Sequence, residues 1–277
     1  MKFVIIPTDF SPAAANAMNY GVKLAKEIEA AIILFHSFQI PLTATEASVM
    51  MTEASIDQMK KDAESSLNTL KEKIEKDHTG SVKIFTQLRI GNTVNELEEF
   101  CKEFKPFAIV MGSTGHSAIG RVLFGSTTLL AMRHLNSPII AVPPGTEYKS
   151  IKKIGLACDL KHVSDSMPAS FIKEIADVLH AELHILHVDH LNPRYDPEKN
   201  EEIYRIQSLF RDMKLSYHFI DHTDMEEGIN EFARENDLDL VITIPKKHSL
   251  FDSIFHKSAS KQILFRSKIP VMSIHEP

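Results

Sequence analysis

Tryptophan is absent from this 277-residue chain, and cysteine occurs only twice, as Cys101 and Cys158. Two distant thiols without metal-ligand spacing exclude a disulfide framework or a cysteine-built zinc site, and they fit a reducing compartment. Basic excess is missing too. The formal charge of -6 argues against sequence-independent nucleic-acid binding, which needs a positive surface. Long hydrophobic runs are lacking: Ile139-Ile-Ala-Val-Pro-Pro144 is far too short to span a bilayer, and Met1-Lys-Phe-Val-Ile-Ile-Pro7 has no extended signal-peptide core. No membrane partner and a cytoplasmic location are therefore expected. Three catalytic fingerprints are also absent, G-x4-G-K-[ST], G-x-G-x-x-G and G-x-S-x-G, and no nucleophile-base-acid set stands out. What remains is 43% hydrophobic and 25% charged, the balance of a well-cored chain of one large or two ordinary domains.

Against this background one segment carries chemistry. Met111 to Thr127 reads M-G-S-T-G-H-S-A-I-G-R-V-L-F-G-S-T, in which Gly112, Gly115, Gly125 and Ser126 fit G-x2-G-x9-G-[ST]. An apolar run, Phe107 to Met111, precedes it, and an amphipathic stretch, Thr127 to Leu135, follows. The glycines thus fall between a predicted strand and a predicted helix, where chain N–H groups can face an anion. Glycine lets the backbone approach a ligand, and the first helical turn offers unpaired donors with partial positive charge. The hydroxyls of Ser126, Thr127 and Thr128 stand beside those amides. Ordinary turn glycines are the competing reading.

The chain also repeats itself. Phe3-Val-Ile-Ile-Pro-Thr-Asp9 and Lys153-Ile-Gly-Leu-Ala-Cys-Asp159 are apolar runs ending in aspartate, 150 positions apart. Ser11-Pro12 predicts a helix start, with Met18, Val22, Ala25 and Ile28 as its apolar stripe; Phe171, Ile172, Ile175, Val178 and Leu179 do the same later. Strands are expected at Ala31 to His36 and Glu182 to Val188. A long helix is read from Ile56, Met59, Ala63, Leu67, Leu70 and Ile74. A shorter one is read from Ile203, Ile206, Phe210 and Met213, after a loop with Pro193 and Pro197. Strands near Val82 to Leu88 and Leu215 to Ile220 then precede helices near Val94 to Glu103 and Met225 to Glu235. Each half closes on strand, helix and strand: Phe107 to Met111, Thr127 to Leu135 and Pro138 to Val142, then Leu238 to Ile244, Ser258 to Phe265 and Pro270 to Ile274. The alternation predicts two tandem α/β domains with parallel sheets.

The glycine pattern, with Pro7-Thr8-Asp9 closing the first strand, resembles the ATP-binding signature of the universal stress protein family. The resemblance covers the whole chain, residues 1–145 as a complete domain and 151–277 as a degenerate copy. It implies a Rossmann-like or flavodoxin-like fold of the adenine nucleotide alpha hydrolase type. It also implies ATP as ligand, with or without magnesium, in a stress-sensing or signalling module acting on an unidentified protein partner. By resemblance the site comprises Pro7, Thr8, Asp9, Ser37 at the end of the second strand, Met111, Gly112, Gly115, Gly125, Ser126, Thr127 and Thr128. Asp9 belongs near adenine and ribose, the glycine loop near the phosphates. Ser37 departs from the family pattern, which favours an apolar residue there. Pairing of the last strands, Ile139 to Val142 with Val271 to Ile274, is implied as an intrachain pseudo-dimer, and homo-oligomers stay open. Binding without efficient turnover is expected, with slow ATP hydrolysis or a nucleotide-free scaffold as alternatives. The serine- and glycine-rich loop of related pyrophosphatase-type folds is replaced by Asp9-Phe-Ser-Pro12.

Divergence between the copies sits where chemistry would. Aligning His116-Ser117 with His248-Ser249 puts Ile244, Lys247 and Lys257 at the three glycine positions, while Ser258 keeps a hydroxyl. Side chains there intrude on a backbone cradle, so the second half is read as structural or regulatory, with Lys246, Lys247 and Lys257 as a solvated cluster. His180, His184, His187, His190 and Asp189 crowd one strand, but alternation sends His184 and His187 to opposite faces, so no metal site is expected. His36 and His116 are read as packing or loop residues.

Overall fold

The computed structural model describes residues 1–40, 53–78, 82–113, 125–160, 163, 167–189, 197–245 and 267–276. Its first half runs β1 (Phe3–Pro7), α1 (Pro12–Glu27), β2 (Ala31–Phe38), α2 (Glu53–Asp77), β3 (Ile84–Ile90), α3 (Thr93–Glu103), β4 (Ala108–Gly112), α4 (Ser126–His134) and β5 (Ile139–Val142). The second runs β6 (Lys153–Ala157), α5 (Ala169–Leu179), β7 (Glu182–Asp189), α6 (Pro197–Leu209), β8 (Leu215–Asp221), α7 (Met225–Glu235), β9 (Leu240–Thr243) and β10 (Val271–Ser273). The expected helix from Ser258 to Phe265 lies outside the described residues, as do Gly115, His116, Lys246, Lys247 and Lys257.

One sheet of ten strands joins both halves in the order β3-β2-β1-β4-β5-β10-β9-β6-β7-β8. Each half alone has the order of a doubly wound α/β fold, reversing direction between its first and fourth strands. All neighbours are parallel except β5 and β10, which pair antiparallel, Val271 with Ala141 and Ser273 with Ile139. The implied pairing of the closing strands is therefore present within the chain.

Alternation along the strands decides which helices cover which face. Val4, Ile6, Ile32 and Leu34 share a core with α1, α2, α5 and α6. Ile5, Ile33 and Phe35 share another with α3, α4 and α7. Ser11 opens α1, its hydroxyl accepting from Ala14 N–H at 3.2 Å, with Pro12 at the first helical position as read from sequence.

Some elements differ from expectation. In α2 only Leu67 and Ile74 are fully buried, whereas Ile56, Met59, Ala63 and Leu70 are half-buried. Length explains this: 25 helical residues extend roughly 37 Å, against about 23 Å for a seven-residue strand, so the helix overhangs the sheet. Pro197, read as part of a loop, is the first residue of α6, where its missing N–H is harmless. That helix ends at Leu209, which leaves Phe210 and Met213 in the following turn, although Phe210 is still buried. Strand β3 begins at Ile84 rather than Val82. Strand β9 begins at Leu240 rather than Leu238, and just before it the Asp239 carboxylate accepts the amides of Lys152 and Lys153 at the start of β6.

Candidate functional site

In open α/β sheets the crevice for a ligand opens at the carboxyl ends of the strands, where the strand order reverses. Here that is the junction of β1 and β4, and Thr8, Asp9, Gly112 and Ser113 stand at it. Thr8 N–H donates to the Phe35 carbonyl at 2.8 Å, and Thr8 Oγ1 accepts from Phe10 N–H at 3.0 Å. The Thr8 carbonyl accepts from His36 Nδ1 at 2.7 Å. A carbonyl cannot donate, so His36 Nδ1 carries the proton of this bond. These bonds hold a tight turn in which Phe10 adopts φ 63°, and its ring, 42% exposed, packs 4.7 Å from that of His36.

The turn presents Asp9 to solvent. Partial burial pushes its carboxyl up, but the Ser11 hydroxyl and amide, its own amide and nearby His36 outweigh that and hold it below the ordinary value. Ser11 N–H donates to Asp9 Oδ1 at 3.0 Å. The carboxylate is thus ionised at neutral pH and suited to accepting hydroxyl or amino donors.

Across the crevice, Gly112 ends β4 against α1. A Cβ on it would stand 2.4 Å from the Ala13 carbonyl oxygen, so a close helix–strand approach accounts for this glycine. Thr128 donates its hydroxyl to the Gly112 carbonyl at 2.8 Å and is buried; it ties the first turn of α4 to β4 rather than facing the crevice. Gly125 caps α4 without a side chain, and Ser126 and Thr127 are exposed beside it. Among the described residues no side chain caps the first-turn amides of α4, which is the arrangement an anion can use.

Other expected residues reach the edge differently. Pro7 and Met111 are buried, the Met111 side chain within the core that contains Ile5 and Ile109, so only their backbones face the crevice edge. Ser37 donates its hydroxyl to Thr93 Oγ1 at 2.8 Å and fastens β2 to the first turn of α3. Ser113, which the motif left unassigned, is 1% exposed and donates its hydroxyl to the Val142 carbonyl at 3.1 Å. Asn16 Nδ2 donates to the Pro143 carbonyl at 3.0 Å, joining α1 to the loop after β5. Sequence reasoning took His36 for packing and passed over Phe10. The recurrence of histidine near the end of the second strand of both halves, His36 and His187, was the available signal.

His184 and His218 lie on one face of the second half, with Nδ1 of the first 2.9 Å from Nε2 of the second, while His187 turns to the other face. Among the described residues no group of three or more histidine, cysteine, aspartate or glutamate side chains is arranged to hold a metal ion. Nor is any described helix long and apolar enough to cross a membrane.

Comparison with known proteins agrees with this layout. A universal stress protein of Methanocaldococcus jannaschii is 27% identical over 141 residues, which make up 51% of this chain and 81% of the relative. The crystal structure of a universal stress protein from Archaeoglobus fulgidus superposes with a TM-score of 0.78 at 19% identity, covering 99% of this chain and 98% of that one. A putative universal stress protein from Pseudomonas aeruginosa gives a TM-score of 0.64 at 12% identity, over 100% of this chain and 94% of that one. At such identities the two structures share the fold, and they share it across both halves. The model of the universal stress protein family matches residues 1–143, more than half of the sequence, and the chain belongs to that family.

Proposed function

We propose that the first half binds ATP at the carboxyl edge of β1 and β4, and that the protein is a nucleotide-dependent stress sensor or signalling module. The supporting observation is the pairing of an ionised Asp9 on one side of the crevice with the uncapped start of α4, at Gly125, on the other. Asp9 accepts from the ribose or base, and the α4 amides with Ser126 and Thr127 receive the phosphates. Magnesium would neutralise phosphate charge there. Residues 1–145 and 151–277 act as two copies of the family domain, the second without a glycine cradle. The reading has the protein in the cytoplasm, which suits Cys101 and Cys158, neither of which is in a disulfide.

Calorimetric titration of the full chain with ATP and magnesium chloride is expected to give one site per chain. Two equivalent sites, or no heat under any divalent-ion condition, would remove the proposal. A nucleotide-free scaffold is the second reading, and Gly112 favours it, because packing on Ala13 alone explains that glycine. Gly125 separates the two, since it stands at the N-cap of α4, where the proposed phosphate contact is made.

A further inference from the structure

Joining the halves through β5 and β10 uses up both of those edges and leaves β3 and β8 as the outer strands of the sheet. Strand β3 exposes two large apolar side chains, Phe85 at 48% and Ile90 at 44%. The hydrogen bonds at its two ends fix which way its backbone faces. Ile32 N–H donates to the Lys83 carbonyl at 2.8 Å and Gly91 N–H to the Phe38 carbonyl at 2.9 Å, so odd-numbered residues turn their amide groups towards β2. The N–H and C=O groups of Ile84, Thr86, Leu88 and Ile90 therefore point out of the sheet. Among the described residues that edge receives one hydrogen bond, from Gln87 Nε2 to the Leu88 carbonyl at 3.1 Å.

Side chains on the α3 face of this strand are unmatched as well. Phe85 and Arg89 lie opposite Ile33 and Ser37 of β2, so they share one face. The Arg89 guanidinium stands 5.6 Å from the centre of the Phe100 ring, and its Nε is buried without a hydrogen-bond partner among the described residues. No described carboxylate pairs with it, and no second described ring stacks on it. A guanidinium can stack on both of its faces. The Phe85 ring lies 6.5 Å from that of Phe3, which is 6.2 Å from the exposed Phe104 ring. Within one chain Phe85 and Arg89 are four strand positions apart, about 13 Å, too far to meet.

A second copy brings them together. Antiparallel pairing of β3 with itself about a two-fold axis at Gln87 sets Ile84 opposite the partner's Ile90, Thr86 opposite the partner's Leu88 and Phe85 opposite the partner's Arg89. The outward groups of Ile84, Thr86, Leu88 and Ile90 then fall on hydrogen-bonded positions. Phe85 and Arg89 fall on non-hydrogen-bonded ones, where opposed Cα atoms approach to about 4.5 Å and side chains touch. A register displaced by one residue sets outward groups against inward ones and makes none of these bonds. The Gln87 amide leaves Leu88 and meets the partner's Gln87 on the axis. The same pairing of β8 about His218 would oppose Leu215 to a second Asp221 carboxylate, and β8 has no arginine to offer.

We propose that a second copy of this chain docks on β3, strand to strand and antiparallel, in a closed two-fold dimer with one sheet running through both chains. Each Arg89 guanidinium then lies between Phe100 of its own chain and the partner's Phe85. A two-fold contact of this kind closes on itself and does not propagate into fibres. The proposal stands apart from the nucleotide reading.

Sedimentation velocity of the full chain over a dilution series is expected to show a species of twice 31.2 kDa that dissociates on dilution. Phe85→Ala removes the ring that covers Arg89 and is expected to weaken the dimer about tenfold. Thr86→Pro deletes one outward N–H without touching the bonds to β2, and the same loss is expected. Phe219→Ser, on β8, is expected to leave the dimer unchanged. Crosslinking with diamide as oxidant reads the register, with wild type, which has Cys101 and Cys158 alone, as the baseline. Gln87→Cys meets itself on the axis and is expected to join two chains, whereas Thr86→Cys faces Leu88 and is not. The cysteine pair decides even where Thr86→Pro unfolds the strand. A chain that stays monomeric at every concentration, a dimer indifferent to Phe85→Ala, or a dimer lost in Phe219→Ser overturns the proposal. Crosslinking no faster in Gln87→Cys than in Thr86→Cys overturns it too.

Discussion

A Cβ on Gly112 meets the Ala13 carbonyl oxygen at 2.4 Å, whereas Gly125, at φ -58° and ψ 146°, holds a backbone conformation open to any residue. The two glycines of one motif therefore answer to different forces. Gly112→Ala is expected to destabilise the fold by about 1–3 kcal/mol, as overpacking does, whether or not nucleotide is present. Urea denaturation measures this, and a wild-type midpoint would refute the packing account. Gly125→Val is expected to leave the midpoint near wild type and abolish ATP binding, because its side chain shields the first-turn amides of α4. Unchanged ATP affinity in that variant would favour the scaffold reading.

Strands β7 and β8 carry a titratable pair beneath α7. His184 and His218 share one hydrogen bond, and the His218 ring packs 4.6 Å from Phe232. Burial holds both imidazoles below the ordinary histidine value; for His184, His218, Lys153 and Lys214 add to this while Glu182 opposes it. The unfolded chain titrates near 6.5, the ordinary histidine value, so above that pH neither state binds the extra protons and the stabilisation is complete. As pH falls below 6.5 the unfolded state takes up protons first, and stability declines until the depressed folded values are reached. Denaturation midpoints at about pH 7.5 and 5.5 should therefore fall further in wild type than in His218→Phe. Equal falls in both proteins would show that the pair does not contribute.

At the scale of the molecule, the seam between β5 and β10 makes one sheet of two halves. Val271, Met272 and Ser273 are essentially unexposed there, with β5 on one side and β9 on the other. A ligand that binds only the folded state stabilises it by about 2.7 kcal/mol at 100 times its Kd. With a continuous sheet that gain belongs to both halves, so saturating ATP is expected to raise the unfolding temperature in a single cooperative transition. Residues 151–277 expressed alone are expected to be poorly soluble, because β10 becomes an open apolar edge. Two transitions in calorimetry, only the first moved by ATP, together with a well-behaved second half, would mean that the halves are merely tethered.

Periodicity and punctuation were enough to read the alternation of strands and helices, the duplication and the fold class, because these depend on short-range spacing. Val4 and Ile6 face one way and Ile5 the other as alternation requires, and Ser11-Pro12 opens α1 as its local chemistry dictates. The glycine positions were legible for the same reason, but not their separate purposes. That Gly112 abuts Ala13, that Thr128 and Ser37 spend their hydroxyls on Gly112 and Thr93, and that His36 and His187 each pin a turn are facts of residues 16 to 99 positions apart. Contacts at such separations are fixed by how helices and strands pack, and a one-dimensional pattern carries no record of them.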